Sequence, residues 1–203
     1  MSTSVTLLQG YVYSTIILGL SYMLYLSSQL LLAILVLLVI YWELLLFRAK
    51  GAPFITSPKS TRDNAFSLLK IDESSVVYDL GCGNAQTLVD FYRLVPEANY
   101  LGVDQSPFAY FASKINIFAS QAGKNIRINQ GDLIKTNLSK ATHIYIWLSP
   151  QMMRHLLPKF KKELHKGTKV VSCDYPFLDT KPAKVFDCQT KGVFGKRLYL
   201  YRF

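Results

Sequence analysis

The first 42 residues of this 203-residue chain contain no charged side chain: the first is Glu43, and all 23 lysine and arginine residues lie at or beyond Arg48. Residues 29–47 supply the roughly 20 apolar residues that a helix needs to cross a bilayer. Because Arg48 and Lys50 follow at once, the positive-inside rule places the rest of the chain on the cytoplasmic side, or on the matrix side of a mitochondrial membrane. We therefore predict a membrane anchor over residues 1–50.

The sequence leaves the number of membrane spans open. A single helix from Val5 to Phe47 would be about 65 Å long, roughly twice the thickness of a bilayer core. Two spans that turn near Ser27 and Ser28 would fit this length, and so would one span preceded by an interfacial helix. A cleavable signal peptide is disfavoured, because no basic residue precedes the apolar stretch.

The remainder reads as a turn-rich linker, residues 51–58, followed by one domain over residues 59–203, which is long enough to bury a core. Residues 48–203 hold all 23 basic residues and 12 of the 13 acidic residues, a net charge of +11 against +10 for the whole chain. This charge predicts an anionic neighbour, either a membrane surface or nucleic acid. The three cysteines show no CxxC spacing and the three histidines are scattered, so we predict free thiols and no metal site.

Strand-like and helix-like segments alternate along this domain. Ser57 is the expected N-cap of its first helix, with Pro58 at the first helical position. Strands separated by helices imply parallel pairing with right-handed crossovers, and the last two strands read as a hairpin. The expected fold is therefore α/β, a Rossmann-like doubly wound sheet of seven strands with a terminal antiparallel hairpin. The seven predicted strands are VVYDL, NYLGVD, IRINQ, THIYIWL, TKVVSCD, AKVFDCQT and KRLYLYR.

Glycines follow the first predicted strand, where the chain turns into a helix and where such sheets bind their ligands. Asp79, Gly81 and Gly83 form a D-x-G-x-G pattern, whereas a dinucleotide fingerprint would need a third glycine in place of Gln86. This absence disfavours a nicotinamide-dependent oxidoreductase. Asp104 ends the second strand, at the position where an acid commonly takes ribose hydroxyls.

A third acidic position, in the segment Gln130-Gly131-Asp132-Leu133, follows the third strand. These three elements come in order along the chain, each at the carboxyl end of a predicted strand. In this the sequence resembles the class I, seven-stranded S-adenosylmethionine-dependent methyltransferases over about residues 57–203. By that resemblance Gly81 and Gly83 approach the methionine end of the cofactor and Asp79 its amino group. Asp104 would hold the ribose, and Asp132 with Leu133 would bind at the adenine.

The segments PFITSPK, LSPQMMRHLLPKFKKEL and VVSCDYPF narrow the resemblance. They are similar to the membrane-anchored protein-lysine methyltransferases of mitochondria that modify the ATP synthase c-subunit and the adenine nucleotide translocase, and to their prokaryotic relatives. Asn84 stands where an acid is expected, Thr56 where a proline is common, and the apolar N-terminus is longer. These departures bear on the particular substrate more than on the reaction.

The resemblance implies transfer of a methyl group to an unprotonated lysine amine, most simply in a membrane protein. No residue is recognisable as a base. The segment that contains Pro150 and Gln151 follows the fourth strand, on the side that faces the methyl group in this fold. We therefore predict that these two residues orient the acceptor amine. The alternative is that they are ordinary residues at the start of a helix, in contact with solvent.

Other functions stay open on the sequence alone. A methyltransferase of a membrane-dissolved quinone or lipid would share the fold, and a non-catalytic membrane module would share the cofactor site. A nucleic-acid methyltransferase is disfavoured, because the chain lacks a recognition domain and carries LSPQ in place of a DPPY-like tetrad. The sequence leaves open the acceptor's identity, the number of methyl groups added and the oligomeric state.

Overall fold

A computed structural model describes the backbone of residues 2–50 and 56–203 and the side chains of most of these residues. Of the predicted linker 51–58, residues 51–55 lie outside the described part of the chain. The chain divides into two compact units, Met1–Leu45 and Leu46–Phe203.

The N-terminal unit is formed by one helix, α1, which runs from Ser2 to Lys50 without a break. Its part Ser14–Trp42 has 29 residues, with a mean hydropathy of 2.5 over the most apolar 18 of them. The 29 residues correspond to about 43 Å of helix. This is long and apolar enough to cross a membrane, by length and composition. The helix continues through Ser27 and Ser28, whose hydroxyls donate to the carbonyls of Leu24 and Tyr25.

The second unit is an α/β fold around one seven-stranded sheet of order β3-β2-β1-β4-β5-β7-β6. The first five strands are parallel, and β7 lies antiparallel between β5 and β6, which confirms the predicted fold and its terminal hairpin. The strands are β1 Val76–Leu80, β2 Asn99–Asp104, β3 Ile126–Gln130, β4 His143–Ile146, β5 Lys169–Cys173, β6 Lys184–Asp187 and β7 Arg197–Arg202. The helices are α2 Lys59–Leu69, α3 Gln86–Leu94, α4 Pro107–Ala119 and α5 Pro150–Glu163.

The sheet is buried on both faces. Successive residues of a strand point to opposite faces, and accordingly Val77 belongs to one buried apolar cluster and Tyr78 to the other. The first cluster includes residues of α2 and α3, and the second is completed by α5, with Phe160 fully buried. Because both faces are covered, the central strands are nearly continuous apolar runs, and only their ends are available to bind a ligand.

The predicted N-cap of α2 is wrong by one residue. Pro58 occupies the cap position and no side chain caps the helix. The Ser57 hydroxyl instead forms a 2.7 Å hydrogen bond with the buried Tyr145 hydroxyl in β4, and the Ser57 carbonyl accepts from Arg62. The hydroxyl cannot turn back to the helix because a partner 88 residues away in sequence holds it.

The ion pair between Arg62 and Asp90 joins α2 to α3. The Arg62 Nε–Asp90 Oδ2 distance is 2.7 Å, and the two side chains are 10% and 14% exposed. We predict that Arg62→Met lowers the free energy of unfolding by about 3 kcal/mol, since removing one partner leaves a poorly hydrated charge behind. Chemical denaturation of the full chain in detergent micelles measures this change.

The matched control is Lys59→Met, one turn earlier on the same helix. Lys59 pairs with Asp63, but these side chains are 75% and 50% exposed, so its loss should cost at most about 0.5 kcal/mol. Equal destabilisation by the two substitutions would contradict the importance of the buried pair.

Candidate functional site

The carboxyl ends of the parallel strands meet along one edge of the sheet, and the sequence-predicted site residues lie there. The chain order reverses between β1 and β4: β2 and β3 lie on one side of β1, and β4 and β5 on the other. In open α/β sheets a ligand-binding crevice forms at this reversal point.

The loop between β1 and α3 brings its backbone close to β4. Gly81 and Gly83 have φ values of 82° and 53°, in the left-handed region that favours glycine. A Cβ atom on Gly81 would lie 2.7 Å from Leu148 Cδ2. The loop is also fixed from the other side, because the Gly81 N–H donates to the Val103 carbonyl of β2 at 2.8 Å. Glycine is therefore favoured at position 81 by its backbone conformation, and a larger residue there would also have to displace the end of the Leu148 side chain.

Asp104 connects this loop to the start of α4. Its Oδ2 accepts from the Gly83 N–H at 3.0 Å and its Oδ1 from the Ser106 N–H at 3.0 Å. The Ser106 hydroxyl in turn accepts from the Ala109 N–H and caps the helix. Burial raises the pKa of Asp104, and the hydrogen bonds from Ser106 and Gly83 oppose that shift. An ionised carboxylate has about four acceptor positions, so Asp104 can accept hydroxyl donors as well.

Asp79 is buried at this edge of the sheet, with 3% of the residue's surface exposed. In the strand register it is opposite Gly102 of β2 and Tyr145 of β4. Burial, and secondly the charge of Asp104, raises the pKa of Asp79 to about 8. The edge thus holds two coupled carboxyl groups, a set suited to hydroxyl and cationic amine groups of a ligand.

Asp132 and Leu133 follow β3, two strands from the glycine loop. The Gly131 N–H donates to the Asp104 carbonyl at 2.8 Å, which joins this turn to the end of β2. The Asp132 carboxylate accepts from the Ile134 N–H at 2.9 Å, and the Leu133 side chain is buried in the core. Leu133 therefore offers its backbone, rather than its side chain, to a ligand.

Pro150 and Gln151 begin α5, directly after the end of β4. The Ser149 hydroxyl caps the helix by accepting from the Met152 N–H, and both Pro150 and Gln151 are exposed. The Ser149 carbonyl already accepts from the Met153 N–H at 3.0 Å. The amide of Gln151 is thus the more available polar group of this turn.

A groove of about 650 Å³ adjoins Pro150. Met153 and Leu157 of α5 line one side, and Tyr175 and Phe177 from the chain after β5 line the other. Its lining is predominantly apolar and also includes Arg154 and Lys161 of α5 and Asp179. The groove lies beside the segment expected to face the acceptor.

Sequence reasoning missed a polar network behind the glycine loop. Asn116 of α4 donates from Nδ2 to the Asn84 carbonyl at 2.9 Å and to Gln86 Oε1 at 3.2 Å. Gln86 donates in turn to Asp90 at 2.8 Å. Asn84, the departure from the expected acid, accepts from the Gln86 N–H with its side chain. The only sequence signal was an isolated asparagine in the apolar helix α4.

The histidines lie elsewhere. His143 stands at the amino end of β4, 3.3 Å from the Lys169 amine. Burial, and then Lys169, lowers the pKa of His143 to about 4. In the part of the chain that the structure describes, no group of three or more histidine, cysteine, aspartate or glutamate side chains is arranged to hold a metal ion.

Known proteins match both the sequence and this arrangement. The family profile of the ANTKMT methyltransferase domain matches residues 79–184. The chain is 25% identical over 149 residues to a protein-lysine N-methyltransferase of Saccharolobus islandicus (strain REY15A), which covers 73% of this chain and 92% of that protein. It is 23% identical over 134 residues to the lysine N-methyltransferase of the ATP synthase c-subunit from Xenopus laevis, which covers 66% of this chain but only 58% of that protein.

Solved structures of methyltransferases also resemble this chain. An RNA methyltransferase from Salinibacter ruber, crystallised with S-adenosyl-L-homocysteine, superposes with a TM-score of 0.68 at 26% identity over 73% of this chain and 93% of that one. A precorrin-6y C5,15-methyltransferase from Geobacter metallireducens shares the fold, with a TM-score of 0.54 at 16% identity over 74% of this chain and 97% of its own. The chain belongs to the family of the ANTKMT methyltransferase domain and is an S-adenosylmethionine-dependent methyltransferase.

Proposed function

We propose that this protein is a membrane-attached methyltransferase that methylates a lysine side chain of a membrane protein, with its catalytic domain on the cytoplasmic or matrix side. The observation that carries the proposal is the joint match of the catalytic fold and sequence to enzymes described as lysine methyltransferases. The apolar helix α1 and the basic residues that follow it support the attachment and the side. The chain spans little more than half of the vertebrate relatives.

The residues at the sheet edge fit S-adenosylmethionine. In the proposed assignment the left-handed Gly81 and Gly83 admit the methionine end close to the backbone, and Asp79 lies at its amino group. Asp104 accepts the ribose hydroxyls with the acceptor positions that Gly83 and Ser106 leave free. Asp132 and the Leu133 backbone lie at the adenine.

The bound cofactor supplies an electrophilic methyl group on a positively charged sulfur. The residues of this chain must present the acceptor amine in its neutral form and in line with that group, and such positioning can contribute about 7–11 kcal/mol to catalysis. A lysine amine has an ordinary pKa of about 10.4, and an apolar surrounding lowers it. In the proposed mechanism the apolar groove beside Pro150 supplies that surrounding and the Gln151 amide oxygen orients the amine.

Membrane attachment fits the proposed acceptor. Two partners held on one membrane meet at a raised effective concentration, without any further contact between them. A quinone or lipid acceptor would meet the enzyme at a raised effective concentration in the same way. A membrane-associated RNA would do so less directly. Fractionation of the methylated products distinguishes these acceptors.

Asp79 gives a proton-linked prediction. With a pKa of about 8 in the free protein, its carboxyl group is largely protonated at pH 7. The cofactor's ammonium group favours the ionised form, so binding at pH 7 should release up to about one proton per site. Calorimetry in buffers of different ionisation enthalpy measures this number. Asp79→Asn should bind without the release, and equal release by both proteins would contradict the assignment.

Gln151 gives a kinetic prediction. Gln151→Ala should lower kcat about tenfold, the effect of one lost hydrogen bond of about 1 to 1.5 kcal/mol. The dissociation constant of S-adenosylmethionine should stay unchanged, because the side chain lies on the acceptor side. A changed cofactor affinity, or an unchanged kcat, would show that Gln151 is only a solvent-exposed helix residue.

Transfer of a labelled methyl group tests the function itself. Host membranes are incubated with labelled S-adenosylmethionine and with wild type, Asp104→Ala or Asp63→Ala, and then separated into protein, lipid and RNA. We expect label in methylated lysine of a membrane protein with wild type and with Asp63→Ala, whose carboxylate is exposed on α2. Asp104→Ala should give no label. The substitution removes the carboxylate that accepts from the glycine loop and that, in the proposed assignment, also holds the cofactor.

The other outcomes are equally informative. Label in the lipid or RNA fraction would agree with the proposed cofactor site but would contradict lysine as the methyl acceptor. Cofactor binding without any transfer would support a non-catalytic module. Circular dichroism shows whether Asp104→Ala is folded. If it is not, Asp104→Asn takes its place in the assay, because it keeps the shape of the side chain and removes the charge.

A further inference from the structure

The outer face of α4 carries an exposed apolar row. Phe111, Ile115 and Phe118 are 64%, 69% and 87% exposed, and their spacing of four and three residues places them on one side of the helix. Phe108, one turn earlier, extends the row at 47% exposure. Contiguous exposed apolar side chains of this kind commonly mark a surface that binds a partner or a membrane.

Most of the surface of this row faces outwards. The opposite side of α4 makes the contacts with the sheet: Ala109 and Ser113 are buried, and Ile117 packs against the core cluster. The helix is also anchored by its capped start and by Asn116. Phe111 touches the Tyr110 ring, with the ring centres 5.7 Å apart, but burial of so small a part of the row leaves its apolar character unexplained within the domain.

The charges around the row indicate what that contact is. No acidic residue lies between Asp104 and Asp132. Lys114 flanks the row on α4, with its amine 5.5 Å from the centre of the Tyr110 ring, and Lys124 follows in the loop to β3. An apolar row with cationic side chains on its own helix and in the following loop is the pattern of a helix that lies in the interface of an anionic bilayer. A second copy of this chain would instead bring like charges together.

We propose that the outer face of α4 inserts into the headgroup region of an anionic membrane, as a second membrane contact besides α1. The proposal is independent of the methyl acceptor. Since α4 begins three residues after Asp104, the contact would hold the cofactor edge of the sheet close to the lipid surface. Phe111, Ile115 and Phe118 are the inserted residues.

Insertion can be measured with the full chain reconstituted into vesicles. The three native cysteines are buried, so Phe118→Cys can be labelled selectively with an environment-sensitive fluorophore. In phosphatidylcholine vesicles that contain phosphatidylserine, we expect a blue-shifted emission that is lost when lipids with a spin label at a shallow acyl position are added. Without phosphatidylserine both effects should weaken.

The matched control is Val185→Cys on β6, at the opposite edge of the sheet from β3 and α4. Val185 is an apolar residue that is 46% exposed, and a fluorophore there should stay insensitive to the spin-labelled lipid. Emission at position 118 that is neither shifted nor quenched would overturn the proposal. A blue shift without lipid quenching would overturn it too, since protein rather than lipid would then cover the row.

Discussion

The arrangement of this domain's ligand-binding edge depends on one carboxylate. Asp104 accepts backbone N–H groups from Gly83 and from Ser106 with its two oxygens, and so joins the loop after β1 to the start of α4. Its own carbonyl accepts from Gly131 and adds the turn after β3. Three loops from three strands thus meet at one residue. In a partly buried place such a carboxylate is stabilised by its hydrogen bonds against the cost of burial.

Local signals in the sequence were sufficient for most of the sheet. The bounds of β1, β2 and β3 are those predicted, because a glycine follows β1 and β3 at once and an acid ends β2. The hairpin around β7 is also as predicted. The feature that failed was decided by a distant partner: Ser57 was expected to cap α2 but is held by Tyr145.

The same distinction holds for the candidate site. Asp79, Gly81, Gly83 and Asp104 could be predicted to lie together because they stand at or just after strand ends, and the structure brings them to one edge. Their contacts with the cofactor stay predictions. Asn116 was missed, since its partner Asn84 is 32 residues away in sequence and an asparagine in a helix has no local signature of that contact. The roles of Pro150 and Gln151 remain predictions, because they depend on an acceptor whose recognition lies in shape rather than in a motif.

Under the proposed membrane attachment, the contacts that follow α1 also have a mechanical meaning. A domain tethered to a fluid membrane would experience drag, and the force would enter through the residues that join the tether to the fold. Among the described residues after α1, Ser57 is bonded to the central strand β4 and Arg62 is paired with α3. Tension is therefore distributed to the middle of the sheet, where strands would have to shear past two neighbours at once, and not to the terminal hairpin, which could be peeled away one bond at a time.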